Sequence, residues 1–194
     1  MFKGTSASAG IGIGKAVIVE EAELVITRNE VADAEAEIQR FKGALEKTIA
    51  ATQKMADDLA SRVGEKEAEI MQGHMMLLSD PMLTGEIENS VKNDKVNCEF
   101  AIENVCNMYA DMFASMGDEL MQQRATDMRD IKVRMQRTLM GLESVDVSLL
   151  PKGSILVAKD LTPSMTAGIN PENVSGIVTE LGGKTSHSAI LARA

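Results

Sequence analysis

The chain has 194 residues, with 29 acidic against 20 basic side chains for a formal net charge of −9, one Tyr and no Trp. That balance excludes a nucleic-acid partner, since phosphate backbones call for basic stripes and bases for aromatic platforms, and it suits a basic protein partner instead. Cys98 and Cys106 stand eight apart in a helical segment, the wrong spacing for a zinc pair. With no N-terminal signal and no apolar run of about 18 residues, the chain reads as a cytoplasmic protein with reduced thiols and no membrane insertion.

Residues 1–20 are rich in Gly, Ser and β-branched side chains and end in the strand Ala16-Val17-Ile18-Val19. A helix then begins at Asn29 as its cap and carries Val31, Ile38, Phe41, Leu45, Ile49, Met55, Leu59 and Val63 at steps of three and four. It should run roughly 30 residues, or about 45–50 Å.

A second helix presents Ile70, Met71, His74, Leu77 and Leu78, and Ser79-Asp80-Pro81 stops it, because proline bars continuation yet suits the first turn of the next helix. That third helix, with Leu83, Ile87 and Val91, fades at Lys92-Asn93-Asp94. A fourth presents Phe100, Ala101, Val105, Met108, Met112 and Phe113; a fifth presents Leu120, Met121, Met128, Ile131, Met135 and Leu139 and stops at Gly141. The many methionines read as fillers of helical cores that lack aromatics, with some left for a partner.

Strands follow at Gly153–Ala158 and Val174–Thr179, with a loop and short helix at Leu161–Ala167 between them. Strand, helix, strand, Gly-Gly, helix is an α/β rhythm with parallel pairing. The first strand belongs to the same sheet. The expected architecture is therefore an α/β domain of residues 1–22 and 142–194, interrupted by an all-α helical bundle of residues 23–141.

Familiar nucleotide motifs fail. A G-x-G-x-x-G pattern meets Lys15 or Val17 where its last glycine is needed, and a P-loop meets Ala9 and Ala16. No G-x-S-x-G elbow occurs. The chemistry then rests with His74 or His187, the two histidines. His74 lies between Met71 and Leu77 and reads as half-buried at the edge of an apolar face.

His187 differs: Gly182-Gly183 lets the backbone turn sharply after a strand, and Thr185, Ser186 and Ser188 crowd hydroxyls around one imidazole at a helix start. Such a position favours an anion, and a neutral imidazole is a nucleophile that can take up and pass on a phosphoryl group. A histidine in a capping region with no chemistry explains these features as well.

The stretch from Gly182 to Arg193 resembles the phosphohistidine signature of the phosphoenolpyruvate-utilising enzymes, and within them the Enzyme I family of the bacterial sugar phosphotransferase system. Ser8–Ala16, Gly73–Pro81, Arg124–Ile131 and Asp160–Thr166 match in the same order, so the likeness covers the whole chain. It implies a phosphoenolpyruvate–protein phosphotransferase whose nucleophile, His187, takes phosphate on Nε2 and passes it to the carrier protein HPr.

The same resemblance makes Thr166 the residue that orients the imidazole, and it makes the helical insert the HPr-docking domain, lined by Glu65, His74, Met76, Leu77, Asp80, Leu83 and Arg124. Lys66 and Ala68 stand where that face is acidic, which shifts its charge pattern. Family members continue into a barrel that binds phosphoenolpyruvate and Mg²⁺ and forms a homodimer. The chain stops at Ala194 in what reads as mid-helix, so an N-terminal fragment with no cofactor of its own is expected. Two other readings compete: a non-catalytic helical protein-binding fragment, and a dikinase-like or regulatory paralogue serving another carrier.

Overall fold

A computed structural model describes residues 4–183 and Ala189. Asp33, and not Asn29, begins the long helix: its carboxylate accepts from the N–H groups of Glu35 and Ala36 at 3.1 and 3.0 Å, and α1 spans Ala34–Arg62, 29 residues. Asn29 is occupied elsewhere. Its carbonyl accepts from Asn97 N–H at 3.0 Å and its own N–H donates to the Asn97 side chain at 2.9 Å, so this backbone pairs with another segment instead of starting a helix. Val31 therefore precedes the helix.

The punctuation read around proline holds. Helix α2 is Glu65–Leu78 and α3 is Pro81–Asp94, with the Asp80 carboxylate accepting from Met82 N–H at 2.8 Å and Pro81 in the first turn. Helix α4 is Cys98–Ser115, and α5, Glu119–Met140, ends on Gly141 at φ 67°. This left-handed position is one that glycine takes without a Cβ penalty.

The bundle core gathers Phe41 of α1, Leu83 and Ile87 of α3, Ile102 of α4 and Met128 and Ile131 of α5. Full burial of each such side chain contributes roughly 1.5–3 kcal/mol. In α4 the buried face differs from the expected one, since Met108 and Met112 are 54 and 44 % exposed while Cys98, Ala101, Ile102, Cys106 and Ala110 are interior. Packing distance between helices follows the side chains at the contact, so small residues serve the close faces. Leu120, 54 % exposed, also departs from the expected core. Burial pushes both cysteine thiols up to about 12.

A partly exposed electrostatic knot joins α1 to α4, with the Arg40 side chain 38 % exposed. Arg40 donates to Glu37 at 2.7 Å and to Glu99 at 2.8 Å, and Glu37 also accepts from Cys98 N–H at 2.7 Å. The Arg40 guanidinium, working against burial, holds the Glu37 carboxyl below its ordinary value.

Beyond the bundle lies a parallel sheet of order β1-β2-β3, formed by Lys15–Val19, Ser154–Ala158 and Val174–Thr179. All five bundle helices fall between β1 and β2 in the chain. A 3-10 turn at Val147–Leu149 precedes β2, and the short helix α6, Pro163–Gly168, connects β2 to β3. Val19, Val147, Leu156, Leu161 and Ile169 form the second core. The glycines before β1 permit close backbone approach: a Cβ on Gly14 would overlap the Gly153 carbonyl oxygen.

Two expectations follow. Gly14→Ala should lower stability by roughly 1–3 kcal/mol through forced displacement of β1, whereas Gly43→Ala, at an open position in α1, should raise it by roughly 0.5–1 kcal/mol; thermal unfolding of the two variants checks both signs. For Glu37, whose folded pKa is depressed, the stabilisation is complete above the ordinary value of 4.5 and is lost as pH falls below it. Arg40→Ala should therefore destabilise the chain at neutral pH and flatten the acid limb of its denaturation midpoint against pH.

Candidate functional site

Thr166, the expected imidazole orienter, lies in α6 and is 3 % exposed. Every N–H of the first turn of α6 is accounted for. Pro163 has none, Ser164 N–H donates to Asp130 Oδ2 at 2.8 Å, Met165 N–H to Thr162 Oγ1 at 3.2 Å, and Thr166 N–H to the Thr162 carbonyl at 2.9 Å. The Thr166 hydroxyl also donates to that carbonyl, at 2.9 Å. A hydroxyl has one proton and two lone pairs, so Thr166 Oγ1 meets any further partner as an acceptor.

The bundle holds α6 from both ends. Asp130 of α5 also accepts from Ser164 Oγ at 2.8 Å, and Arg62, the last residue of α1, donates to the carbonyls of Ala167 and Ile169 at 2.9 Å each. An anion at the N-terminal end and a cation at the C-terminal end both suit the helix dipole. Between α1, α5 and α6 runs a cleft of about 570 Å³, bordered by Lys54, Arg62, Asp130, Arg134 and Ser164. Burial pushes the Arg134 guanidinium below its ordinary range.

Of the expected docking residues, Glu65 and Met76 are exposed on α2, and Leu77, Asp80 and Arg124 are half-buried. His74 and Leu83 correct the expectation: they are 0 and 2 % exposed and offer no surface to a partner. His74 is not half-buried either. Its Nε2 lies 3.2 Å from Asp127 Oδ1, and its Nδ1 lies 3.9 Å from Asp130 Oδ2 with no hydrogen-bond partner among the described residues. Arg124 reaches Asp127 Oδ2 at 3.6 Å and rests on Gly73, where a Cβ would overlap its guanidinium. Ala68 is buried, so of the two departures in charge only Lys66 is exposed.

Gly183 is exposed, with nothing among the described residues within 4 Å of a Cβ built there. His187 and its neighbours Thr185, Ser186 and Ser188 lie outside the described residues, as does the expected mid-helix end at Ala194.

Sequence reasoning gave no role to Asp127 and Asp130. Together with Arg134 and Arg137 they recur at steps of three and four along α5, and all four are buried. The spacing was visible; its burial was not, because a charged stripe at helical period ordinarily faces solvent. No helix among the described residues is long and apolar enough to cross a membrane.

Residues 3–124 match the family described as PEP-utilising enzyme, N-terminal, and residues 150–194 match PEP-utilising enzyme, mobile domain. Over 192 residues, 99 % of this chain, it is 41 % identical to a phosphoenolpyruvate-protein phosphotransferase of Bacillus subtilis. Over all 194 residues it is 40 % identical to the protein of that name in Enterococcus faecalis. The chain spans 34 % of the length of each, about a third.

Among solved structures, a solution NMR structure of Enzyme I superposes with a TM-score of 0.86 at 38 % identity, covering 99 % of this chain and 78 % of that one. The N-terminal domain of Enzyme 1 - Nitrogen gives 0.67 at 26 %, covering 96 and 77 %. The helical bundle with a small α/β part is thus the fold of these proteins.

Asp127→Ala should strip His74 Nε2 of its partner in the interior and cost roughly 1–3 kcal/mol. Arg124→Ala, whose side chain is 32 % exposed, should cost about 1 kcal/mol or less. Urea unfolding of the two variants compares them directly.

Proposed function

The chain belongs to the family of phosphoenolpyruvate-utilising enzymes, and from that premise we propose that it carries the phosphohistidine step and the carrier-docking face of a phosphoenolpyruvate–protein phosphotransferase. In this reading a ring nitrogen of His187 attacks the phosphorus of phosphoenolpyruvate, the bond to the enol oxygen breaks, and the enolate leaves and takes a proton on its methylene carbon to become pyruvate. The N–P bond then breaks as a histidine of HPr takes the same phosphoryl group. Few catalytic side chains are needed, because such transfers rest on positioning and charge stabilisation.

The observation that carries the reading is the Thr166 hydroxyl, whose proton is committed to the Thr162 carbonyl. It can only accept from the imidazole. An imidazole N–H donating to it leaves the other ring nitrogen with a free lone pair, the tautomer a nucleophile requires. Gly183, Thr185, Ser186 and Ser188 would surround the phosphoryl group.

Docking falls to the exposed and half-exposed residues Glu65, Met76, Leu77, Asp80 and Arg124, with His74 and Leu83 supporting them from below. The bundle, residues 23–141, is the docking domain, and residues 1–22 with 142–194 are the phosphohistidine domain. An overall charge of −9 favours a basic carrier surface. Mg²⁺, phosphoenolpyruvate and the homodimer contact belong in this reading to the two-thirds of the relatives that this chain does not span. Among the described residues no group of three His, Cys, Asp or Glu side chains could hold a metal. The setting is cytoplasmic.

Incubation with ³²P-labelled phospho-HPr tests the reading without the phosphoenolpyruvate site. Acid-labile label should appear on the wild type and not on His187→Ala. Thr166→Ala should slow the transfer by roughly 10–100-fold, the scale of a misplaced reacting group, and Thr166→Ser should recover most of the rate. Label on neither wild type nor variants, with carrier binding intact, would leave a docking module without catalysis.

A further inference from the structure

We infer that Asp130 is a positioning residue for phosphoryl transfer: through its two hydrogen bonds to Ser164 it holds the α6 turn, and with it Thr166, in register with the bundle. The inference rests on the assignment of His187 and Thr166 made above.

Asp130 is 4 % exposed; His74 Nδ1 lies 3.9 Å from its carboxylate, and the buried Arg134 guanidinium one turn along α5 attracts it without a direct ion-pair contact. Burying a carboxylate with no directly paired cation is costly. A neutral Ser or Asn would cap a helix as well. What the carboxylate adds is two charge-assisted acceptors of fixed direction, one on the Ser164 N–H and one on its hydroxyl, both at 2.8 Å. Two bonds to one residue fix the place of the turn and its rotation.

Six residues are far too few for a helix to hold its own shape. The position of α6 therefore depends on its anchors, and two of them, Asp130 and Arg62, come from the bundle. Thr166 lies two residues beyond Ser164, in the same turn. A displacement of an ångström at a group that orients a nucleophile can cost about 100-fold in rate. Carrier docking rests on exposed and half-exposed residues that make no hydrogen bond to Asp130, so it should change far less than the rate, although His74 beneath them lies 3.9 Å from Asp130.

The test is single-turnover transfer from phospho-HPr at saturating carrier, with the Kd for unphosphorylated HPr measured separately, on the 194-residue chain and its variants. Asp130→Ala should transfer roughly tenfold or more slowly with Kd within about twofold of wild type, and should move the Ser164 amide proton upfield as its bond to the carboxylate is lost. Asp130→Asn, which keeps one acceptor oxygen, should recover part of the rate. Ser164→Ala, which removes only the hydroxyl bond, should fall between.

A folded Asp130→Ala that transfers at the wild-type rate would overturn the inference alone, as would a rate loss matched by an equal loss of carrier affinity. Should Asp130→Ala not fold, Ser164→Ala decides, and a wild-type rate there overturns the inference. No label on the wild type would overturn the histidine assignment and this inference with it.

Discussion

The structure turns on a stripe of buried charge along α5. Asp127, Asp130, Arg134 and Arg137 are each 9 % exposed or less, and each reaches a different part of the molecule. Asp127 faces His74 of α2, Asp130 holds Ser164 of α6, and Arg134 donates to Thr52 of α1 at 2.7 Å. Arg137 donates to the carbonyls of Ala22 at 2.7 Å and Glu143 at 3.2 Å, the two stretches where the chain leaves and rejoins the sheet. Arg134 Nη1 and Arg137 Nε find no hydrogen-bond partner among the described residues. Each of the four groups nonetheless makes at least one polar contact to a distant segment, and because burying charge without such contacts is costly, the stripe favours one particular arrangement of bundle and sheet.

That preference shapes the candidate site. The α/β part is small, with one short crossover helix between β2 and β3, and a turn of that size has little to hold it in place by itself. The bundle supplies the missing constraint at both ends of α6. The residues proposed to dock a carrier and the residue proposed to orient the nucleophile thus lean on the same helix, α2 through His74 and α6 through Ser164. The apolar face of α5, with Met128, Ile131 and Met135, packs the bundle core on another side. One helix thus supports both proposed tasks along its charged stripe and packs the bundle core with its apolar face.

Local punctuation was legible in the residues. Pro81 after Asp80, Gly141 after α5 and the β-branched runs of β1, β2 and β3 each act through backbone geometry within a few positions. Errors arose where a distant segment decided the outcome. Asn29 has the chemistry of a cap but is taken by Asn97, far along the chain. Met108 and Met112 fit a helical stripe, yet the neighbours of α4 fit its small residues instead. His74 and Leu83 follow the pattern of a docking segment, but the packing of α2 and α3 turns them inward.

The sequence by itself determined the order and type of the elements within the described residues, the parallel sheet interrupted by a helical bundle, and the family, because each depends on periodicity, turn chemistry or a contiguous motif. Only the tertiary structure decided which charges are buried, which face of α4 is interior and what holds α6. A charged residue carries no local mark of its partner: Asp130 and Ser164 stand 34 positions apart, and their bond exists because folding brings both into a space with little water, where an unmade hydrogen bond is expensive.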